Sequence, residues 1–337
     1  MNIKKLLTHI LKHFKKKLVS STLNLPEGYY DIIGDVHGYY RELTLLLEKM
    51  GYTCRDGVWQ HTERTAVFIG DFISRGPDSR GVLTLIRSMV ENKTGYAILG
   101  NHELNAIGYF TLSKSGKSIT QLAPSNKKQM ENIREQFKGE PDLLIDYIKW
   151  LRRLPFFLNL GSIRVVHAYW NDKHVQTIEK SITEGKLTKK LIKEIFRTES
   201  EFSVAVRQTT RGIEINLPKN LIIKDDKNIR RTNFRIKWWE SPHGKTFREL
   251  SFGNRFILPN YTVPLQILFP FSVYEANQPI LFFGHYCISS GHLIMKPNVC
   301  CVDNCLAGFG RLAAYRWNGE KDLTETNFVF ENRRSKS

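Results

Sequence analysis

Apolar residues in this chain come in short runs, and each run stops at a polar residue. Tyr29–Ile33 ends at Gly34-Asp35, Thr65–Ile69 at Gly70-Asp71, and Tyr96–Leu99 at Gly100-Asn101-His102. Runs of this length, rich in β-branched and aromatic side chains, predict strands. Between them the spacing changes. Leu43, Leu46, Leu47 and Met50 share one helical face, and so do Val82, Leu85, Ile86 and Met89. The predicted order is β-α-β-α-β, with polar residues at the C-terminal end of each strand. Open α/β sheets place ligands at that edge.

Residues 111–140 are polar and predict a surface insertion. Pro141–Leu154 reads as an amphipathic helix stopped by Pro155, and Phe156–Leu160 with Ile163–His167 as a hairpin across Gly161-Ser162. Residues 171–275 read as an irregular insert. It holds one Lys-rich helix at about 184–197 and an aromatic, basic stretch over Phe234–Phe256. Strands resume at Ile280–Phe283 before Gly284-His285, at Val299–Val302 before Asp303, and at Leu312–Trp317. The organisation expected is a basic amphipathic helix over 1–20, one domain over 27–325 carrying the insert, and a basic tail over 326–337.

The chain has 337 residues, 41% of them hydrophobic, which suits one large catalytic domain with insertions or two modest domains. Its net charge of +17 is concentrated in residues 1–20, in 184–256 and in the tail residues Arg333, Arg334 and Lys336. Such placement speaks of docking by appendages and argues against a nucleic-acid-binding core. Residues 1–20 carry six lysines and no acid, with Ile3, Leu6, Leu7, Ile10, Leu11, Phe14 and Leu18 on one stripe. That helix could lie on an anionic membrane surface, or dock on its own domain or on a partner. No run of 18 apolar residues and no signal-peptide pattern is present. Five cysteines without a CxxC fit reduced thiols in the cytoplasm, with peripheral membrane contact through 1–20 as the alternative address.

Five points along the chain carry candidate chemistry. Asp35 and His37 lie in Gly-Asp-Val-His-Gly, Asp71 in Gly-Asp-Phe-Ile-Ser-Arg-Gly, and Asn101, His102 and Glu103 in Gly-Asn-His-Glu. His167 and His285 each end a strand. A single Asp after a strand is usually a cap, and a lone His is usually structural. Capping does not ask for His and Asn repeatedly at one edge, whereas a divalent-metal site does. Asp35 and His37 share one turn and can grip one ion. Asn101, His167 and His285 come from three further strands and can grip a second, with Asp71 between. Two ions about 3.5–4 Å apart polarise a phosphoryl group and activate a water.

The motifs Gly34-Asp35-Val36-His37-Gly38, Gly70-Asp71 with Ser74-Arg75-Gly76, and Gly100-Asn101-His102-Glu103 resemble the three signatures of calcineurin-like metallophosphoesterases, in the phosphoprotein-phosphatase branch. Phe-Phe-Gly-His285, Cys-Val-Asp303-Asn-Cys and Gly310-Arg311-Leu312-Ala313-Ala314 resemble the ends of bacterial members, among them symmetrical diadenosine tetraphosphatases and small Ser/Thr phosphatases. The likeness covers residues 29–110, 156–170 and 280–317. It implies a β-sandwich flanked by helices, with the site on loops at the C-terminal strand ends. It implies one metal on Asp35, His37 and Asp71, and another on Asp71, Asn101, His167 and His285. The ions would be manganese, or iron, zinc, nickel or cobalt. Arg75 would bind the substrate phosphate, with Asn101 beside it, and His102 would protonate the leaving group.

One position departs from the pattern. The family's second motif has a second Asp where this chain has Ser74. Serine can orient His102 but stabilises imidazolium poorly, unless a carboxylate such as Asp78 takes over. The expected activity is therefore metal-dependent hydrolysis of phosphate esters or anhydrides, with low-pKa leaving groups favoured. A dinucleoside polyphosphate or a phosphoprotein is the substrate class. A second phosphate-binding arginine is expected in the insert among Arg207, Arg211, Arg235 and Arg255. The insert's aromatics read as a lid with its own core, or as a base-stacking surface. Two other classes remain: a catalytically weakened phosphate- or nucleotide-binding module, and a basic nucleic-acid-binding protein.

Overall fold

The computed structural model describes residues 28–217, 223–224, 230–253, 258, 260–263, 272–308 and 310–334. The helix expected over 1–20 and Arg255 lie outside the described residues.

Two five-stranded mixed sheets form a sandwich. Their strands are β1 (Tyr29–Ile33), β2 (Arg64–Phe68), β3 (Gly95–Ala97), β4 (Phe157–Asn159), β5 (Ile163–Val166), β6 (Ile280–Phe283), β7 (Ile294–Lys296), β8 (Val299–Cys301), β9 (Arg311–Trp317) and β10 (Phe328–Asn332). The first sheet has the order β10-β9-β1-β2-β3 and the second β7-β8-β6-β5-β4. Within the first, β1, β2 and β3 run parallel, with Ile33 opposite Phe68 and Phe68 opposite Ala97. Within the second, β5, β6 and β8 run parallel, with Phe283 opposite both Val166 and Cys301. Each sheet thus delivers three strand ends to one edge of the sandwich.

Strand alternation divides the core. Ile32, Val67, Phe282 and Cys300 pack between the sheets, together with Val165 and Tyr315. Their sequence neighbours Ile33, Phe68, Phe283 and Cys301 face the outer layers. Helices α1 (Tyr40–Lys49), α2 (Ser79–Glu91) and α3 (Asn101–Phe110) follow β1, β2 and β3 in sequence. Leu43, Leu46 and Leu47 of α1 and Val82, Leu85, Ile86 and Met89 of α2 are buried, as their spacing requires.

Several expectations need correction. The stretch 111–140 holds α4 (Pro124–Gln136), which buries Met130 and Ile133. The insert is more regular than its composition suggests. It begins with α6 (Asp172–Ser181), α7 (Lys189–Arg197) and α8 (Glu201–Arg211), after α5 (Pro141–Leu151). Asn171, Thr188 and Ser200 cap these three helices, each accepting from a backbone N–H in the first turn. Residues 328–332, part of the tail expected from charge, form the edge strand β10 along Arg311–Tyr315 of β9. Alternating Phe328 and Phe330 give it an apolar face that the nearby arginines mask in a charge count. Cys287 and Cys305 form a disulfide, not free thiols. They lie on the loops after β6 and β8, whose ends are side by side. Cys54, Cys300 and Cys301 remain as thiols. No described helix is long and apolar enough to cross a membrane.

Candidate metal centre

The loops after the six parallel strand ends converge. Backbone bonds zip the first two together: His37 N–H donates to the Asp71 carbonyl at 2.8 Å, Gly38 N–H to Phe72 at 2.6 Å, and Gly76 N–H to His37 at 2.7 Å. The backbone is left-handed at His37 (φ 51°), Asp71 (49°), Ser74 (75°), Arg75 (66°) and His285 (65°). Non-glycine residues in that region cluster at functional sites because surrounding contacts must hold them there.

The Asp71 carboxylate occupies the middle of the cluster. Its Oδ1 is 3.3 Å from His167 Nε2, and its Oδ2 is 3.9 Å from His37 Nε2 and 3.8 Å from His102 Nε2. Asp35 Oδ2 is 3.9 Å from His37 Nε2, and Asn101 Oδ1 is 3.3 Å from His167 Nε2. Two sets have ligand atoms within 4.8 Å of one another: His37, Asp71 and His102, and Asp71, His167 and His285. All eight residues singled out by sequence meet here, counting Arg75, whose Nη2 is 3.3 Å from His102 Nε2.

The donors suit a divalent cation. His167 Nδ1 lies 2.9 Å from the Ile69 carbonyl and His37 Nδ1 3.4 Å from the Ile73 carbonyl. A carbonyl can only accept, so each Nδ1 bears the proton and each Nε2 offers its lone pair inward, the usual support of a metal-bound histidine. His285 Nε2 is buried without a hydrogen-bond partner. Burial, then Arg75 for His37 and Arg235 for His285, holds both imidazoles well below their ordinary pKa. Burial and the charges of Asp303 and Asp71 push the Asp35 carboxyl well above the carboxylate range. For Asp71, burial acts upward, but His167, His102 and His37 outweigh it and hold the carboxyl low. At His167 burial acts downward, but Asp71 outweighs it and raises the imidazole pKa; with His37 and His285 held neutral beside crowded, buried carboxylates, a cation among them would take the place of that proton.

Glu103, in the third motif, has a role that the motif alone does not reveal. Its buried carboxylate accepts from the backbone N–H groups of Asp71 (2.7 Å), Phe72 (2.8 Å), Ile73 (3.3 Å) and Gly100 (3.0 Å). It therefore fixes the loop that carries Asp71. Burial and Asp71 raise its pKa to about 7. A Glu three residues past a helix start reads as a cap, and that signal hid the longer-range bonds. Asp303, noted only within a motif, is buried beside Asp35, where burial raises its pKa.

Gly70 before Asp71 turns the chain at φ 103°, whereas Gly100 and Gly284 act by absence of a side chain. A Cβ on Gly100 would lie 2.3 Å from Asp71 Oδ1, and one on Gly284 2.3 Å from Asp35 Oδ1. Ser74 Oγ and His102 Nδ1 are both buried without hydrogen-bond partners, so Ser74 does not orient His102. Asp78 does not substitute either: it caps α2 through the Gly81 N–H at 2.6 Å. Burial lowers the His102 pKa to about 4, with Asp71 opposing and Arg75 assisting.

Among the insert arginines, Arg207 is committed to Glu199 and faces outward. Arg211 ends α8 beside the centre, donates to Asn105 Oδ1 at 2.9 Å, and its charge acts on His102. Arg235 packs on the Tyr286 ring at 5.4 Å. Trp238 and Trp239 are buried against Phe283, and Trp239 against Tyr286 as well. Among the described residues, Trp238, Trp239 and Phe252 thus build a core behind His285, as expected of a lid with its own core.

A family model described as calcineurin-like phosphoesterase matches residues 30–209, and the chain belongs to that family. An asymmetrical bis(5'-nucleosyl)-tetraphosphatase of Oceanobacillus iheyensis is 36% identical over 146 residues, 41% of this chain and 54% of that protein. The chain therefore spans about half the length of that relative. A symmetrical bis(5'-nucleosyl)-tetraphosphatase of Wigglesworthia glossinidia brevipalpis is 25% identical over 300 residues, 86% of this chain and 96% of that protein. Among solved structures, a cold-active protein-tyrosine phosphatase of a psychrophilic Shewanella superposes with TM-score 0.50 at 15% identity, covering 95% of this chain and 84% of that one, a likeness of fold.

Proposed function

We propose that the chain hydrolyses phosphoric anhydrides, with a dinucleoside polyphosphate as substrate. The observation that carries this reading is the Asp71 carboxylate, set between His37 on one side and His167 on the other. Asp35, His37 and Asp71 would hold one divalent ion, and Asp71, Asn101, His167 and His285 a second, with manganese the first candidate. Bound there, the ions supply Lewis acidity to the phosphoryl group and the attacking water.

The chain's own groups do the rest. Arg75 and Arg211 approach from opposite sides of His102 in sequence, one from the second motif and one from the insert, and would clamp phosphate oxygens. Arg75 can only donate, so His102 Nε2 accepts from it and its proton sits on Nδ1 when neutral. In that state Nε2 has no proton to give a leaving group. A phosphoanhydride, whose leaving group is already a stable anion, tolerates this best. The names of the tetraphosphatase relatives support the same substrate class.

The test is a panel of p-nitrophenyl phosphate, diadenosine tetraphosphate and a phosphopeptide, assayed with Mn²⁺ before and after EDTA. Diadenosine tetraphosphate should turn over fastest, lose activity with EDTA and regain it with Mn²⁺. Absence of metal-dependent turnover on all three would leave a phosphate-binding module.

A further inference from the structure

We propose that a basic cavity outside the metal centre binds oligophosphate, a chain of three or four linked phosphates. The cavity has a volume of about 520 Å³ and lies between the turn after α3 and the outer face of α7. Lys114, Lys117, Lys193 and Arg197 line it, with Ser113 and Ser115, and the rest of its wall is also polar. No acid lines it. Among the described residues, Lys114, Lys117 and Lys193 form no ion pair, whereas Lys127 on α4 and Lys138 just beyond it each pair with a nearby glutamate.

The two walls are fixed to one another. Arg197 Nε and Nη2 both donate to the Ile119 carbonyl, at 3.1 and 2.9 Å. The turn is closed by Ser113 N–H donating to the Lys117 carbonyl at 2.8 Å and by Lys117 N–H donating to Ser113 Oγ at 3.2 Å. Four cations gathered without a counter-charge repel one another, which costs stability until an anion enters. Four positive charges with surrounding hydroxyl donors match a compact anion of similar charge. A single phosphate leaves half of that charge unanswered. Oligophosphate supplies the charge in a volume this cavity accommodates. Helix α3 separates the cavity from the metal centre: its ten residues span about 15 Å at 1.5 Å each. The proposal is therefore independent of the hydrolytic reading.

Binding of inorganic tripolyphosphate is measured by titration calorimetry in EDTA, where turnover plays no part, with ATP as a second arm. The three lysines are exposed, and their mutual repulsion is removed with them, so the variant Lys114→Gln/Lys117→Gln/Lys193→Gln should melt no earlier than the parent. It should lose affinity for tripolyphosphate by about tenfold or more, and the parent's affinity should fall as salt rises. Equal affinity for ATP and tripolyphosphate identifies free oligophosphate as the ligand, and tighter ATP binding a nucleotide, with the triple variant losing both. Unchanged affinity in the triple variant overturns the proposal. Should the triple variant melt early, Lys117→Glu alone serves, with the same outcomes.

Discussion

Gly100 provides a sharp test of how closely the centre is packed. Its backbone, at φ −94° and ψ −179°, is ordinary for any residue, so Gly100→Ala adds a methyl group without backbone strain. That methyl would sit 2.3 Å from Asp71 Oδ1, 2.5 Å from Asp71 N and 2.9 Å from His167 Cε1. A relaxed carbon–oxygen contact is about 3.3 Å, so the carboxylate or its loop must move by about 1 Å. The loop resists, because Glu103 holds the Asp71, Phe72 and Ile73 N–H groups. Overpacking of this kind costs about 1–3 kcal/mol of stability. The functional cost is larger. Metal ligands tolerate roughly 0.2 Å of displacement, and a 1 Å error in a reacting array costs on the order of 100-fold in rate. Mn²⁺ titration calorimetry should show affinity reduced by about tenfold or more, kcat on diadenosine tetraphosphate should drop by about 100-fold, and a thermal melt should shift only a few degrees. A variant with parental Mn²⁺ affinity and turnover would refute the claim that this glycine makes room for Asp71.

Three further outcomes are expected. Ser74→Asp, at a left-handed position that Asp tolerates well, should raise turnover on alkyl phosphates by supporting a protonated His102; a loss or no change counts against the proton-donor argument. Glu103→Ala orphans four buried N–H groups at roughly 1–3 kcal/mol each, so urea unfolding should show about 3 kcal/mol or more of lost stability; a loss below about 1 kcal/mol would mean the loop stands without it. Burial, with Lys173 beside it, lowers the His174 pKa from 6.5 to about 4. The folded state thus holds it neutral while the unfolded chain charges, so stability falls as pH drops from about 6.5 to about 4. His174→Gln should flatten that slope in unfolding curves at pH 7 and pH 5, and an unchanged slope would exonerate His174.

Much of the centre is legible in sequence because parallel strands end in a polar residue at a fixed edge. Asp35, Asp71, Asn101, His167 and His285 announce themselves by that rule alone. What stays hidden depends on partners far away in the chain. Glu103 resembles a helix cap, and its bonds to residues 71–73 exist only once β2 and β3 pair. Arg211 is one of many basic residues in the insert until α8 delivers it to Asn105. The disulfide joins cysteines that become neighbours because β6 and β8 pair in the second sheet. β10 stays hidden for a different reason: the charge of Arg333 and Arg334 masks the alternation of Phe328 and Phe330.

The proposed ligands ride on two separate bodies. Asp35, His37, Asp71 and Asn101 belong to the first sheet, while His167 and His285 belong to the second, and side chains such as Phe282, Cys300 and Val67 set the spacing between them. The centre is therefore a caliper closed across the sandwich. A methyl group added or removed deep between the sheets opens or closes its jaws, and metal affinity becomes a remote gauge of how well that interior is filled.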